Sequence, residues 1–148
     1  MVVYDWVMSG HSYETTVVID AAPAQVWEVL SNVEAWPTWT PTITSVKGVD
    51  GSVLEWGAKF EVQQPGLMKA AYIVTDFQPE KSFTWYSSVA GIRLLAGHVL
   101  EETSDGKTTV ALTFEMSGLF AVLSWLLTKK KICEFVNLEA ESLKAVCE

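Results

Sequence analysis

Ala22-Pro23-Ala24-Gln25-Val26-Trp27-Glu28-Val29-Leu30-Ser31, followed by Val33-Glu34-Ala35-Trp36-Pro37-Thr38-Trp39-Thr40-Pro41, is the stretch that decides how the chain folds. Asp20 is placed to cap a helix, and Pro23 suits its first turn because the missing N–H would lack a partner there anyway. Val26, Trp27 and Leu30 then fall on one apolar stripe, so a short helix is expected. Pro37 and Pro41 forbid its continuation, which sets Trp36 and Trp39 on a tight connection where two indoles close one end of a core or a pocket.

Outward from this segment the pattern turns to strands. Residues 12–20 are rich in β-branched side chains, and residues 43–49, 59–63, 70–77, 82–87, 93–102 and 107–117 read as six more strands. Asp50-Gly51, Pro65-Gly66, Pro79-Glu80, Ala90-Gly91 and Asp105-Gly106 separate them as turns. In the last strand Val110, Leu112, Phe114 and Met116 share one face and Thr109, Ala111, Thr113 and Glu115 the other. One wet face and short connections favour a curved antiparallel sheet over a parallel one, which needs covered faces and long crossovers.

Gly118 breaks that strand, and residues 119–147 read as one long helix. Phe120, Leu123, Leu127, Ile132, Phe135, Leu138, Leu143 and Val146 keep roughly helical spacing, so the helix is expected in the grip of the sheet. Its first part is apolar nearly all round, which means burial on several sides or one side facing something other than water.

The order of these elements resembles the START-like superfamily of polyketide cyclases, dehydrases and lipid-transfer proteins (SRPBCC), whose helix-grip fold is that of the birch-pollen allergens. The resemblance rests on the strand Tyr13-Glu14-Thr15-Thr16-Val17-Val18-Ile19-Asp20, the Pro-Ala-Gln-Val-Trp helix and the Trp-Pro-Thr-Trp-Thr-Pro element. Trp56-Gly57-Ala58-Lys59-Phe60, Asp105-Gly106-Lys107-Thr108-Thr109-Val110 with Gly118, and the ending Leu143-Lys144-Ala145-Val146-Cys147-Glu148 continue it over residues 12–148. It implies an α+β helix-grip fold: a seven-stranded curved antiparallel sheet wrapped around a long C-terminal helix, with two short helices after the first strand. It names no reaction, because such folds host many unrelated functions.

The 148 residues fit one domain, 1–148, and an apolar fraction of 49% supplies a real core. A formal charge of −8 argues against nucleic acid binding through a broad basic face. The single basic run, Lys129-Lys130-Lys131, reads as a solvated helical turn, with a membrane-surface or partner contact as the alternative. Residues 1–10 lack the pattern of a secretory signal, and residues 119–127 are roughly half the length of a membrane span, so no stable membrane insertion is expected. Cys133 and Cys147 lie on the same helix, separated by roughly 21 Å of helical rise, beyond disulfide reach. Reduced thiols point to the cytoplasm.

No nucleophile elbow, phosphate-cradling glycine loop, Cys-Xaa-Xaa-Cys pair or His-Glu-Xaa-Xaa-His helix is present, so no metal or other cofactor is called for. His11 reads as a solvated residue near the terminus. His98 shares strand parity with Leu100, on the face expected to meet the long helix, and there it would bind a ligand carbonyl, act as a general acid or base, or simply hydrogen-bond within the sheet. Arg93, the only arginine, reads as a surface cation or as an anchor for a carboxylate or phenolate at a pocket mouth. Glu14, Tyr72, Asp76 and Tyr86 are strand residues to which no catalytic role is assigned.

The aromatic set Trp39, Trp56, Tyr72, Trp85, Phe114, Phe120 and Phe135 is spread over elements that a helix-grip fold wraps around one interior, and the resemblance implies a cavity there rather than a filled core. The expected ligand-binding residues are Trp39, Tyr72, Trp85, His98, Leu100, Phe114, Phe120, Leu123 and Leu127. The leading expectation is a monomer or homodimer that binds a small hydrophobic ligand: a lipid, isoprenoid or polyketide-like aromatic. The alternatives are a polyketide cyclase or dehydrase using His98 with Arg93, and a module docking a partner or membrane through residues 119–127. A second polar residue converging on His98 inside the cavity would favour the enzyme.

Overall fold

The computed structural model describes residues 11–148; the reading of residues 1–10 as lacking a secretory signal lies outside the described residues. Strand β1 (His11–Ile19) leads into helix α1 (Pro23–Ser31) and a short 3-10 helix (Val33–Thr38). Strands β2 (Ser45–Gly48), β3 (Lys59–Gln63), β4 (Ala70–Gln78), β5 (Ser82–Val89), β6 (Ile92–Glu102) and β7 (Thr108–Ser117) follow, and α2 (Ala121–Cys147) ends the chain. The sheet order is β1-β7-β6-β5-β4-β3-β2, antiparallel throughout. Because side chains alternate across a strand, β7 presents Val110, Leu112, Phe114 and Met116 to the interior, and its partner β6 presents Leu94, Ala96, His98 and Leu100.

The helix α2 packs on β1, β7 and α1, as the sequence pattern predicts for a helix in the grip of a sheet. Two apolar clusters result. The larger joins Leu30, Trp36, Phe60, Phe83, Trp85 and Leu100 to Ala140 and Leu143, at the C-terminal half of α2. The smaller joins Met116 to Ala121, Trp125 and Ile132, at its N-terminal half. The turn between β7 and α2 depends on Gly118: its φ of 111° is open to glycine, and a Cβ there would lie 2.7 Å from the Gly91 carbonyl oxygen.

Local chemistry differs from the sequence expectation at several points. Asp20 does not cap α1: the cap residue is Ala22, whose N–H is satisfied by Gln25 Oε1 at 3.1 Å, while the Asp20 N–H donates to Glu148 at 2.8 Å. Pro37 does not end the helical path but sits inside the 3-10 helix, which tolerates it because few of its N–H groups need partners. There the Trp36 indole is fully buried and its Nε1–H donates to the Leu30 carbonyl at 2.9 Å, tying the two helices together. His11 is not simply solvated, since its ring stacks on Trp125 at 5.6 Å.

The buried stripe of α2 is also rotated from the one expected. Ala121, Trp125, Ile132, Ala140 and Leu143 face in, whereas Leu123, Leu127, Leu138 and Val146 are exposed. A 3.6-residue repeat fixes the width of a stripe but not its phase when the first turns are apolar on every side.

Candidate ligand cavity

A cavity of about 280 Å³ separates the two apolar clusters, between the inner face of the sheet and the middle of α2. Strands β4 to β7 contribute Tyr72, Trp85, Leu94, Ala96, His98 and Phe114, and α2 contributes Ser124, Thr128, Ile132, Phe135, Val136 and Glu139. Leu67 and Met68, on the β3–β4 connection, and Ala90, at the β5–β6 turn, form its rim; Met68 is largely exposed, which marks the mouth.

Four of the nine residues expected to bind a ligand line this space: Tyr72, Trp85, His98 and Phe114. The other five do not. Leu100 is buried in the larger cluster and Trp39 packs beside it against Trp36, while Phe120, just before α2, lies over the Gly91 turn and Leu123 and Leu127 lie on the outer side of α2, 53%, 61% and 76% exposed. Trp56, counted among the interior aromatics, is exposed on the β2–β3 connection beside a second cleft of about 250 Å³ at residues 50–59. Arg93 has the opposite strand parity from His98; it is exposed and its Nε–H donates to Ser117 Oγ at 3.4 Å, so it does not reach the cavity.

The titratable groups of the cavity, His98, Glu139 and Tyr72, sit together, while Gln64, Ser124 and Thr128 line it elsewhere. His98 is fully buried, stacked on Phe83 at 4.1 Å and edge-on to Trp36 and Trp85. Its Nδ1 lies 3.1 Å from the Phe83 carbonyl, an acceptor only, so Nδ1 carries the proton and Nε2 presents a lone pair. Across from it Glu139 places Oε2 at 3.9 Å, beyond hydrogen-bond length. Burial pulls the imidazole pKa down to about 4 and pushes the Glu139 carboxyl up to about 7. Burial first, and the Glu139 charge second, also raise the Tyr72 phenol well above its ordinary value. Near neutral pH the pair is therefore a neutral imidazole facing a carboxyl that holds its proton far more strongly than an exposed one, rather than an ion pair.

Glu139 is the ionisable cavity residue that the sequence reading did not single out. A signal existed: Glu139 stands four positions after Phe135 and four before Leu143, an acidic residue on the apolar stripe, where Leu138 was counted instead. No group of His, Cys, Asp and Glu able to hold a metal ion occurs among the described residues. No helix among the described residues is long and apolar enough to cross a membrane.

A curved antiparallel sheet gripping one long helix is a helix-grip, START-like fold. The chain belongs to the polyketide cyclase / dehydrase and lipid transport family, whose profile matches residues 10–148. It is similar to a hypothetical protein from Helicobacter pylori, with 12% identity over 94% of this chain and 89% of that one at a TM-score of 0.82. A START superfamily protein from Mycobacterium smegmatis gives 16% identity, 93% and 97% coverage and a TM-score of 0.70. A protein from Thermus thermophilus gives 17%, 93% and 97%, and 0.69. Identities this low carry the fold alone. No curated protein matches the chain.

Proposed function

We propose that this protein binds a small hydrophobic ligand, a lipid, isoprenoid or polyketide-like aromatic, in the cavity between the sheet and α2. The observation that carries the reading is a mainly apolar space of about 280 Å³ between sheet and helix, with His98 and Glu139 facing each other in its wall. That volume stands at the lower edge of small-molecule sites, which span about 300–1,000 Å³, and suits a compact ring system better than a two-chain lipid. The two unpaired thiols, Cys133 and Cys147, fit a reducing compartment and so the cytoplasm.

The test is thermal stability with a panel of fused-ring aromatics, quinones and prenyl alcohols, since a ligand that binds only the folded state raises the melting temperature. Ala96 lies on the inner face between Trp85 and Phe114, so Ala96→Phe fills the cavity and removes the gain. A panel with no effect on wild type, or a gain that survives in Ala96→Phe, rejects the proposal. Leu123, on the outer face, is not a blocking position.

Two observations favour other readings. Glu139 opposite His98 is the converging polar residue that proton transfer needs, which supports a cyclase or dehydrase. Yet Arg93 lies outside and no Lys or Arg lines the cavity among the described residues, so a developing enolate would find no cation. Turnover of a poly-β-ketone thioester lost in both His98→Gln and Glu139→Gln would establish the enzyme; absence of turnover leaves binding. Separately, Leu119, Phe120, Val122, Leu123, Leu126 and Leu127 are exposed and run into exposed Lys129, Lys130 and Lys131. An apolar face bordered by lysines fits the surface of an anionic bilayer. Co-flotation with phosphatidylserine vesicles, lost in a Leu123→Lys, Leu126→Lys variant, is expected; equal flotation of the variant rejects it.

A further inference from the structure

We infer that the ligand carries a neutral hydroxyl group, a phenol, enol or alcohol, seated between His98 Nε2 and the Glu139 carboxyl. This rests on the cavity-binding reading and adds its chemical class. The Phe83 carbonyl takes the His98 proton at Nδ1, so Nε2 offers only a lone pair to the cavity and requires a donor. Glu139, 3.9 Å away, offers a carboxyl able to donate or accept. An oxygen about 2.8 Å from both atoms spans that gap with an angle of roughly 90° between its two bonds, which an sp³ or phenolic hydroxyl accommodates. Its O–H donates to Nε2, and its lone pair accepts from the Glu139 carboxyl.

Other head groups fit worse. A ketone or ester has no proton for Nε2. A carboxylate or phosphate would be buried beside Glu139, with no Lys or Arg among the described lining residues, and residues 1–10 contain neither. A plain hydrocarbon leaves both polar groups unpartnered, the situation in which a hydrogen-bonding site discriminates most strongly against an analogue that lacks the hydroxyl. Tyr72, whose phenol is buried near Glu139, supplies a further O–H at the same end of the cavity.

The experiment is calorimetric titration of the whole chain at pH 7 with naphthalene, 1-naphthol and 1-naphthoate, three ligands that share one ring system. Wild type should bind 1-naphthol about tenfold tighter than either of the others, the value of one to two net hydrogen bonds. In Glu139→Leu the ratio of naphthol to naphthalene affinity should shrink severalfold, while naphthalene itself binds as well or better. Because the comparison is a ratio within one protein, a change in overall stability does not mimic it. Equal binding of all three ligands, preference for the carboxylate, or an unchanged ratio in Glu139→Leu overturns the inference while leaving cavity binding in place. Failure of all three to bind also overturns the inference, and the wider panel of quinones and prenyl alcohols then decides the cavity-binding reading.

Discussion

Replacing Glu139 by Gln should stabilise the protein, and by an amount that depends on pH. The carboxyl is held at about 7 against an ordinary 4.5 by burial, and its side chain keeps only 15% exposure. Between these values the folded chain binds more protons than the unfolded chain, so stability falls as pH rises from 4.5 through 7. At about 1.4 kcal/mol per pKa unit, the full cost of the ionised form is on the order of 3 kcal/mol, an upper figure because the carboxylate retains access to the cavity.

His98 acts with the opposite sign. Its imidazole is held near 4 against 6.5, so the unfolded chain takes up the proton first and stability is lost as pH falls from 6.5 toward 4. In wild type the two slopes oppose each other between 4.5 and 6.5 and the profile is nearly flat. Glu139→Gln leaves the His98 slope alone, so the variant gains stability with rising pH across that window. Urea unfolding followed by far-UV circular dichroism should find the variant ahead by about 2–3 kcal/mol at pH 8, and by less than about 1 kcal/mol at pH 5. A gap that is the same at both pH values, or a variant less stable at pH 8, would refute the description of Glu139 as a buried, uncompensated carboxyl.

Three further outcomes follow from the geometry. Trp36→Phe removes the donor to the Leu30 carbonyl and leaves a void beside Phe83 and Trp85, so chemical unfolding should show a loss of about 2–4 kcal/mol. Gly118→Ala places a Cβ 2.7 Å from the Gly91 carbonyl oxygen at a φ of 111°, adding a clash to backbone strain, and should lose clearly more than Gly106→Ala, where φ is 84° but a Cβ meets nothing and strain alone costs about 1 kcal/mol; equal losses would assign the effect to backbone strain alone. Mass analysis of the folded protein under non-reducing conditions should find Cys133 and Cys147 unpaired within the chain, and an intramolecular bridge would show that α2 is not continuous.

The sheet was legible because period-two alternation is clean in β1 and in most of β7, even though a bulge at Val74–Asp76 interrupts it in β4, and the turn dipeptides fall where the chain reverses. The Pro23 helix and the Trp36 connection were legible for similar reasons of local chemistry. Half of the site was not, for two physical causes. Residues 119–127 are apolar on all sides, so nothing local says which side meets the sheet, and the assignment of Phe120, Leu123 and Leu127 to the cavity put the outer face inside. Glu139 escaped notice because acidic residues on helices are usually solvated; its spacing of four from Phe135 and from Leu143 was the one local hint, and His98 on the facing strand shows what it meets. Leu100 has the correct strand parity but sits past the end of the cavity, since parity fixes the face and not the depth.

Where a ligand sits is the most direct test of binding in the cavity. Intermolecular nuclear Overhauser effects between bound 1-naphthol and the methyl groups of Ile132, Val136 and Leu112, with the hydroxyl-bearing ring edge toward His98, are the predicted result. Effects confined to Val53 and Trp56 at the surface cleft, or to Leu123 and Leu126 on the outer face of α2, would contradict it.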